Sequence, residues 1–134
     1  MKNLIKTGEY VSISCDKSYK EIYEKSSLIV TDYSSVPFDF AYVGGPVVYA
    51  QFDREKFFSG IHSYKMGYFD YEKDGFGDVA YTLDAAVTAV IDCIERGCRT
   101  EQKYKDRADS FFAYRDKNCC KRITEKLMEL EKND

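Results

Sequence analysis

The chain has 134 residues, 44% of them apolar and 32% charged, with a formal net charge of −3. This is the material of one ordinary domain with a packed core; it argues against a disordered chain and excludes a helix of the roughly 18 apolar residues that a bilayer requires. The acidic balance excludes a general nucleic-acid binder, whose footprint is basic, and Met1–Lys6 is too short and too charged to open a signal peptide.

Aromatic residues reach 16%, as 12 Tyr and 9 Phe without Trp. Many of the tyrosines must therefore sit half buried, ring in the core and hydroxyl hydrogen-bonded or wet. The five cysteines, Cys15, Cys93, Cys98, Cys119 and Cys120, are odd in number and follow no secretory leader, so they read as free thiols of a cytosolic protein. There is no C-x-x-C, and His62, the single histidine, reads as an exposed loop residue; neither a metal site nor a cofactor is expected. The adjacent pair Cys119-Cys120 leaves a thiol redox role open.

In chain order, Tyr10-Val11-Ser12-Ile13-Ser14-Cys15 alternates as a strand does. Ser18 and Glu21 fit a capping box that starts a helix over Tyr19–Lys25. Leu28-Ile29-Val30-Thr31 is a short apolar run, the pattern of a strand buried on both faces. Pro37 suits the first turn of a helix over Val36–Tyr42, and Gly44-Gly45 ends it. Pro46–Phe52 is a second buried strand, so the three pieces form a right-handed βαβ unit. Residues 59–78 lack either regular period and read as a long functional loop. Val79–Tyr81 is a short strand, and Thr82 or Asp84 caps a helix with Val87, Val90, Ile91 and Ile94 as its apolar stripe. Gly97 stops that helix. A further helix, Glu101 to about Phe112, carries Tyr104, Ala108, Phe111 and Phe112 on its buried side. Asn118 opens a terminal helix with Ile123, Leu127 and Leu130 on one face. Residues 95–134 hold 11 Lys/Arg and 9 Asp/Glu, a balance of +2 against −5 for the remainder, which describes solvated helix faces.

The stretch that carries chemistry is Asp32-Tyr33-Ser34-Ser35, placed where a buried parallel strand ends and a helix begins. Ligands of open α/β sheets bind outside the carboxyl ends of strands. Two serine hydroxyls and the unpaired amides of a first helical turn suit a phosphate or diphosphate. The spacing alone equally fits Ser35 as a helix cap and Asp32 as a turn residue.

Leu28 to Val36, with Phe38-Asp39-Phe40-Ala41 and Pro46-Val47-Val48-Tyr49, resembles the C-terminal region of the CDP-glycerol glycerophosphotransferases of teichoic acid synthesis. The likeness continues through Gly67 to Glu72, Gly77, Thr82-Leu83-Asp84, Phe111 to Tyr114 and Asn118 to Ile123, covering about residues 10–127. It implies an α/β fold, a partial Rossmann-like unit with a short parallel sheet and a helical C-terminal third, forming the C-terminal half-domain of a GT-B enzyme. Residues 1–134 would be one truncated donor-binding domain. Ser34 and Ser35, with Asp32, would hold the diphosphate of CDP-glycerol or a similar CDP-activated donor. Asp39, Tyr68, Asp70 and Glu72 could face the cleft, and Arg115, Lys117, Lys121 and Arg122 could aid the anion.

What the resemblance implies for function is glycerophosphate transfer to a lipid-linked acceptor polymer with release of CMP, at the cytoplasmic face of the membrane. The chain lacks an acceptor domain and the family's upstream histidine segments, so no general base is assigned and the chain is expected to be inactive alone. The aromatic surplus points to a second reading, a non-catalytic α/β interaction module that forms a homodimer or docks on a partner.

Overall fold

A computed structural model of the chain describes residues 10–14, 16–61 and 67–132. The elements follow as α1 (Tyr19–Lys25), β1 (Ile29–Thr31), α2 (Val36–Tyr42), β2 (Val47–Ala50), α3 (Arg54–Lys56) running into a π-turn (Phe57–Ile61), β3 (Gly77–Ala80), α4 (Leu83–Glu95), α5 (Gln102–Phe111) and α6 (Cys119–Glu131). The three strands pair in the order β1-β2-β3, all parallel, with Thr31 opposite Tyr49 and Val47 opposite Gly77. This is the expected α/β fold with a short parallel sheet, a partial Rossmann-like unit with most of its helix in the C-terminal part.

Local chemistry sets the boundaries. Ser18 and Glu21 form the reciprocal capping box of α1, with Glu21 Oε2 accepting from the Ser18 amide at 2.9 Å and Ser18 Oγ accepting from the Glu21 amide at 3.3 Å. Helix α2 ends in a Schellman motif: Gly44 adopts φ +88°, its N–H donates to Ala41, and the Gly45 N–H donates to Phe40 at 2.9 Å. Helix α4 starts on Thr82, whose hydroxyl accepts from the Ala85 amide, and ends in the same motif at Gly97, φ +68°.

The core is aromatic. Phe40, Val47 and Tyr49 pack with Tyr23, Ile29, Tyr71 and Val79. Ala41, Phe76 and Ala108 pack with Phe38, Phe69 and Phe112. The buried tyrosines keep their hydroxyls paired, as composition required: Tyr49 Oη accepts from the Phe76 amide at 3.3 Å, and Tyr104 Oη donates to Asp78 at 2.6 Å. Burial is the main reason both phenols stay protonated far above their ordinary range.

Four expectations need correction. Of residues 10–14 only Val11 makes a β-bridge, and Tyr10, Val11 and Ile13 are exposed, so among the described residues the alternation does not become a packed strand. The third strand starts at Gly77 and ends at Ala80. Of the side of α5 expected to be buried, Tyr104 and Ala108 are buried, but Phe111 is 36% exposed and Phe112 falls beyond the helix; α6 forms where expected, with Ile123, Leu127 and Leu130 exposed. In α4 the buried residues are Ala86, Ala89 and Cys93, while Val87, Ile91 and Ile94 are 48%, 48% and 59% exposed. Small side chains let this helix lie close on β2 and β3, so the larger apolar residues fall on its outer flank. Filling the close side, Ala89→Leu, is expected to destabilise by about 1–3 kcal/mol, whereas Ile91→Gln on the flank should change stability by less than about 0.5 kcal/mol. Thermal unfolding of the two variants checks this, and the reverse order would contradict the packing.

Candidate functional site

The carboxyl ends of the strands share one edge of the sheet, and the chain leaves that edge at Asp32 after β1, Gln51 after β2 and Tyr81 after β3. Tyr33 ties the first two exits together. Its ring stacks on Phe57 with centroids 3.8 Å apart, and its hydroxyl donates to Asp53 Oδ1 at 3.1 Å. The third exit is tied in by Tyr81, whose hydroxyl takes a hydrogen bond from Arg54 Nη1 and donates to Glu72 Oε1 at 2.6 Å. Arg54 and Glu72 also approach to 3.9 Å.

Beside these contacts lies an open cavity of about 910 Å³ whose wall includes Gln51, Phe52, Arg54, Phe58, Glu72 and Tyr81. Its charged groups are Asp53, Glu55 and Glu72 against Arg54 and Lys56, so an anion entering it depends on those two cations. Burial, then the hydrogen bond to Asp53, pushes the Tyr33 phenol far up; burial, then Glu72, pushes up Tyr81, with Arg54 opposing. Both are therefore neutral donors near pH 7. Gln51 is 0% exposed, and neither its Oε1 nor its Nε2 has a hydrogen-bond partner. An unpaired buried amide costs on the order of 1–3 kcal/mol.

The sequence-predicted residues divide between this crevice and other places. Ser34 and Ser35 stand at the turn between β1 and α2, outside any regular element. Ser34 Oγ accepts from the Val36 amide at 3.1 Å, the Phe38 amide donates to the Ser35 carbonyl at 3.1 Å, and Pro37 has no N–H. The first-turn amides expected to be free are thus engaged or missing, and an anion here would meet the exposed Ser35, whose side chain makes no capping bond. Asp32 Oδ1 accepts from the Tyr33 amide at 2.7 Å, and its charge helps keep Tyr71 protonated, after burial. Glu72 is in the cavity wall. Asp39 faces the Tyr23 hydroxyl of α1, where burial and then its charge raise the phenol. Tyr68 is 89% exposed.

Asp70 organises its own turn: its carboxylate accepts from the Glu72 and Lys73 amides at 2.9 and 3.2 Å, and its amide donates to Asp74 at 2.8 Å. Those two backbone bonds hold its carboxyl below the usual aspartate range. A carboxylate with a lowered folded value contributes its stabilisation above the unfolded value, about 3.9, and loses it as pH falls through the folded one. The Glu72 and Lys73 amide resonances should therefore titrate together with a midpoint below about 3.9. A midpoint at or above that value would contradict the turn.

The C-terminal cations serve other contacts. Arg115 donates to the Tyr42 carbonyl at 3.3 Å and pairs with Asp109 at 3.0 Å, at the end of α2 that leads into β2, hence at the amino edge of the sheet. Lys121 pairs with Glu125 at 3.8 Å along α6. Arg122 holds Asp116 at 2.8 Å and lies over the Tyr114 ring. Lys117 precedes α6, and His62 and Cys15 lie outside the described residues. Cys119 and Cys120 are free and exposed, and Cys93 is free and buried. Among the described residues no three His, Cys, Asp or Glu side chains gather as metal ligands, and no helix is long and apolar enough to cross a membrane.

The model of the CDP-glycerol:poly(glycerophosphate) glycerophosphotransferase family matches residues 1–129. The chain belongs to this family. It is 41% identical to the minor teichoic acid biosynthesis protein GgaB of Bacillus subtilis (strain 168) over 88% of the chain and 12% of that protein. It is 34% identical to the teichoic acid poly(glycerol phosphate) polymerase of the same strain, over 62% of the chain and 11% of the polymerase. Identity to the teichoic acid glycerol-phosphate transferase of Staphylococcus aureus (strain NCTC 8325 / PS 47) is 28%, over 75% of the chain and 24% of the transferase. The chain thus spans between about a tenth and a quarter of the length of these relatives. No solved structure matches it.

Sequence reasoning missed Gln51, Asp53, Arg54 and Tyr81 in this glycerophosphotransferase-family chain. The available signal was position: all four follow the carboxyl end of a strand in a parallel sheet, the same rule that singled out Ser34 and Ser35.

Proposed function

We propose that this chain holds the diphosphate of a CDP-activated donor, CDP-glycerol in the first instance, within a larger GT-B glycerophosphotransferase of teichoic acid or related surface-polymer synthesis. What supports this is the cavity at the β2 and β3 exits that contains Arg54, with the β1 exit, which carries Ser34 and Ser35, tied to its wall by the Tyr33 hydroxyl donating to Asp53. Ser35 offers an unengaged hydroxyl, Ser34 and Asp32 fix the turn, and Arg54 supplies positive charge. The names of the relatives support the polymer, and the family description supports the donor.

The transfer would proceed by attack of an acceptor hydroxyl on the glycerol-bearing phosphorus, with the bond to the CMP oxygen breaking. Charge gathers on the departing CMP phosphate, and a fixed guanidinium and hydroxyls neutralise it there. The acceptor, a lipid-linked polymer at the cytoplasmic face, and the base that takes its proton belong to other parts of the enzyme, so the chain alone binds and does not turn over. Titration calorimetry with CDP and CDP-glycerol tests this: saturable binding is expected, weakened by Ser35→Ala. No binding at millimolar ligand by a chain with an intact circular dichroism spectrum would overturn it.

A second reading, a non-catalytic module that dimerises or docks on a partner, draws on the exposed flank of α4, Leu83, Val87, Ile91 and Ile94. A strictly monomeric chain in light scattering that binds no apolar dye would remove it.

A further inference from the structure

We propose that Gln51 and the ring of Phe52 form the nucleobase pocket of this site, the carboxamide reading the hydrogen-bonding edge of the donor's cytosine. This rests on the nucleoside-diphosphate reading of the crevice. The backbone of Gln51 is fixed at the end of β2, its N–H donating to the Ala80 carbonyl at 2.8 Å. Its side chain is the only one among the described residues with buried polar atoms lacking a partner, and it lacks them at both ends of the amide. It stands in the wall of the cavity, beside Phe52, which is 52% exposed and lines the same space. Phe58 adds a second aromatic wall.

An exposed ring face next to an unsatisfied amide is the combination by which proteins hold an unstacked base, stacking its plane and bonding its edge. A carboxamide carries one acceptor and two donors in a plane. The carboxamide is covered by neighbouring protein atoms, so base recognition requires it to rotate into the cavity. There Oε1 accepts from the exocyclic amine of cytosine and Nε2 donates to the ring nitrogen, replacing an unpaired burial with two hydrogen bonds. Rotated by half a turn, the same group serves uracil, so Gln51 supplies affinity for a pyrimidine and leaves the choice between the two to other groups. Arg54, three residues on, places positive charge where the phosphates of such a nucleotide would leave the pocket.

The test is calorimetry of the full chain and Gln51→Met with CDP and with inorganic pyrophosphate, together with thermal unfolding and the side-chain NH₂ resonances of Gln51. Gln51→Met keeps the volume and removes the hydrogen bonds. It should lose about tenfold or more in CDP affinity, keep its pyrophosphate affinity, and melt no lower than wild type. In the wild-type chain, CDP should shift the Gln51 NH₂ resonances and pyrophosphate should not. Unchanged CDP affinity in the variant, an equal loss for both ligands, or Gln51 resonances unmoved by CDP would overturn the base pocket alone. A wild-type chain that binds neither ligand would overturn the diphosphate site and the base pocket with it.

Discussion

Gly77→Ala is expected to destabilise the fold strongly. Gly77 pairs with Val47 across the β2–β3 ladder, and a Cβ built on it would lie 1.7 Å from the Val47 carbonyl oxygen and 2.5 Å from its carbon. Both atoms are backbone in the central strand, so no side-chain rotation relieves the clash; the strands must part. That separation would also pull on Phe76, next in the chain, which is 1% exposed in the aromatic core. A cost of about 3–5 kcal/mol is a large share of a total stability of about 5–15 kcal/mol. In thermal unfolding the midpoint should fall by roughly 10 °C or more. Gly67→Ala is the control, since a Cβ there meets nothing within 4 Å and its φ is not in the left-handed region. Equal stability of the two variants would contradict the sheet register.

Arg54→Ala is expected to have the largest effect on ligand binding. Three carboxylates and two cations line the cavity, so losing Arg54 leaves Lys56 alone against Asp53, Glu55 and Glu72. The guanidinium is anchored as well as charged: it donates to the Tyr81 hydroxyl, lies 3.9 Å from Glu72, and its side chain is 22% exposed. A hydrogen bond to a charged group contributes about 1.5–3 kcal/mol, which corresponds to a loss of roughly tenfold to a hundredfold in CDP affinity. Arg54→Lys should recover little of it, because an ammonium cannot bridge Tyr81 and a phosphate in one plane. Calorimetry on both variants measures this. An Arg54→Ala chain that binds CDP as wild type does would place the anion elsewhere.

Much of the fold was legible because its signals are local. The capping box at Ser18 and Glu21, Pro37 within the first turn of α2, and the glycine stops at Gly44 and Gly97 act over three or four residues, and each sits where its chemistry requires. The β1–α2–β2 unit followed from two apolar runs flanking a helix. What was not legible depends on partners distant in sequence. The alternation of Tyr10–Cys15 promises a strand, but a strand also needs a neighbour, and only Val11 finds a bridge. The apolar period of α4 points to Val87 and Ile91, whereas close packing on the sheet selects Ala86, Ala89 and Cys93. At the β1 exit, Asp32 to Ser35 could be singled out from one strand end. Gln51, Arg54, Glu72 and Tyr81 join them only through the parallel order of three strands and the return of residues 67–76, which no local pattern encodes.

Backbone amide resonances followed during a titration with CDP test the siting of the ligand most directly. Shifts should concentrate at residues 32–35, 51–54, 72 and 81, leaving the opposite end of the sheet, residues 42–46 and 97–100, unmoved. Shifts confined to that opposite end, around Arg115, would contradict it.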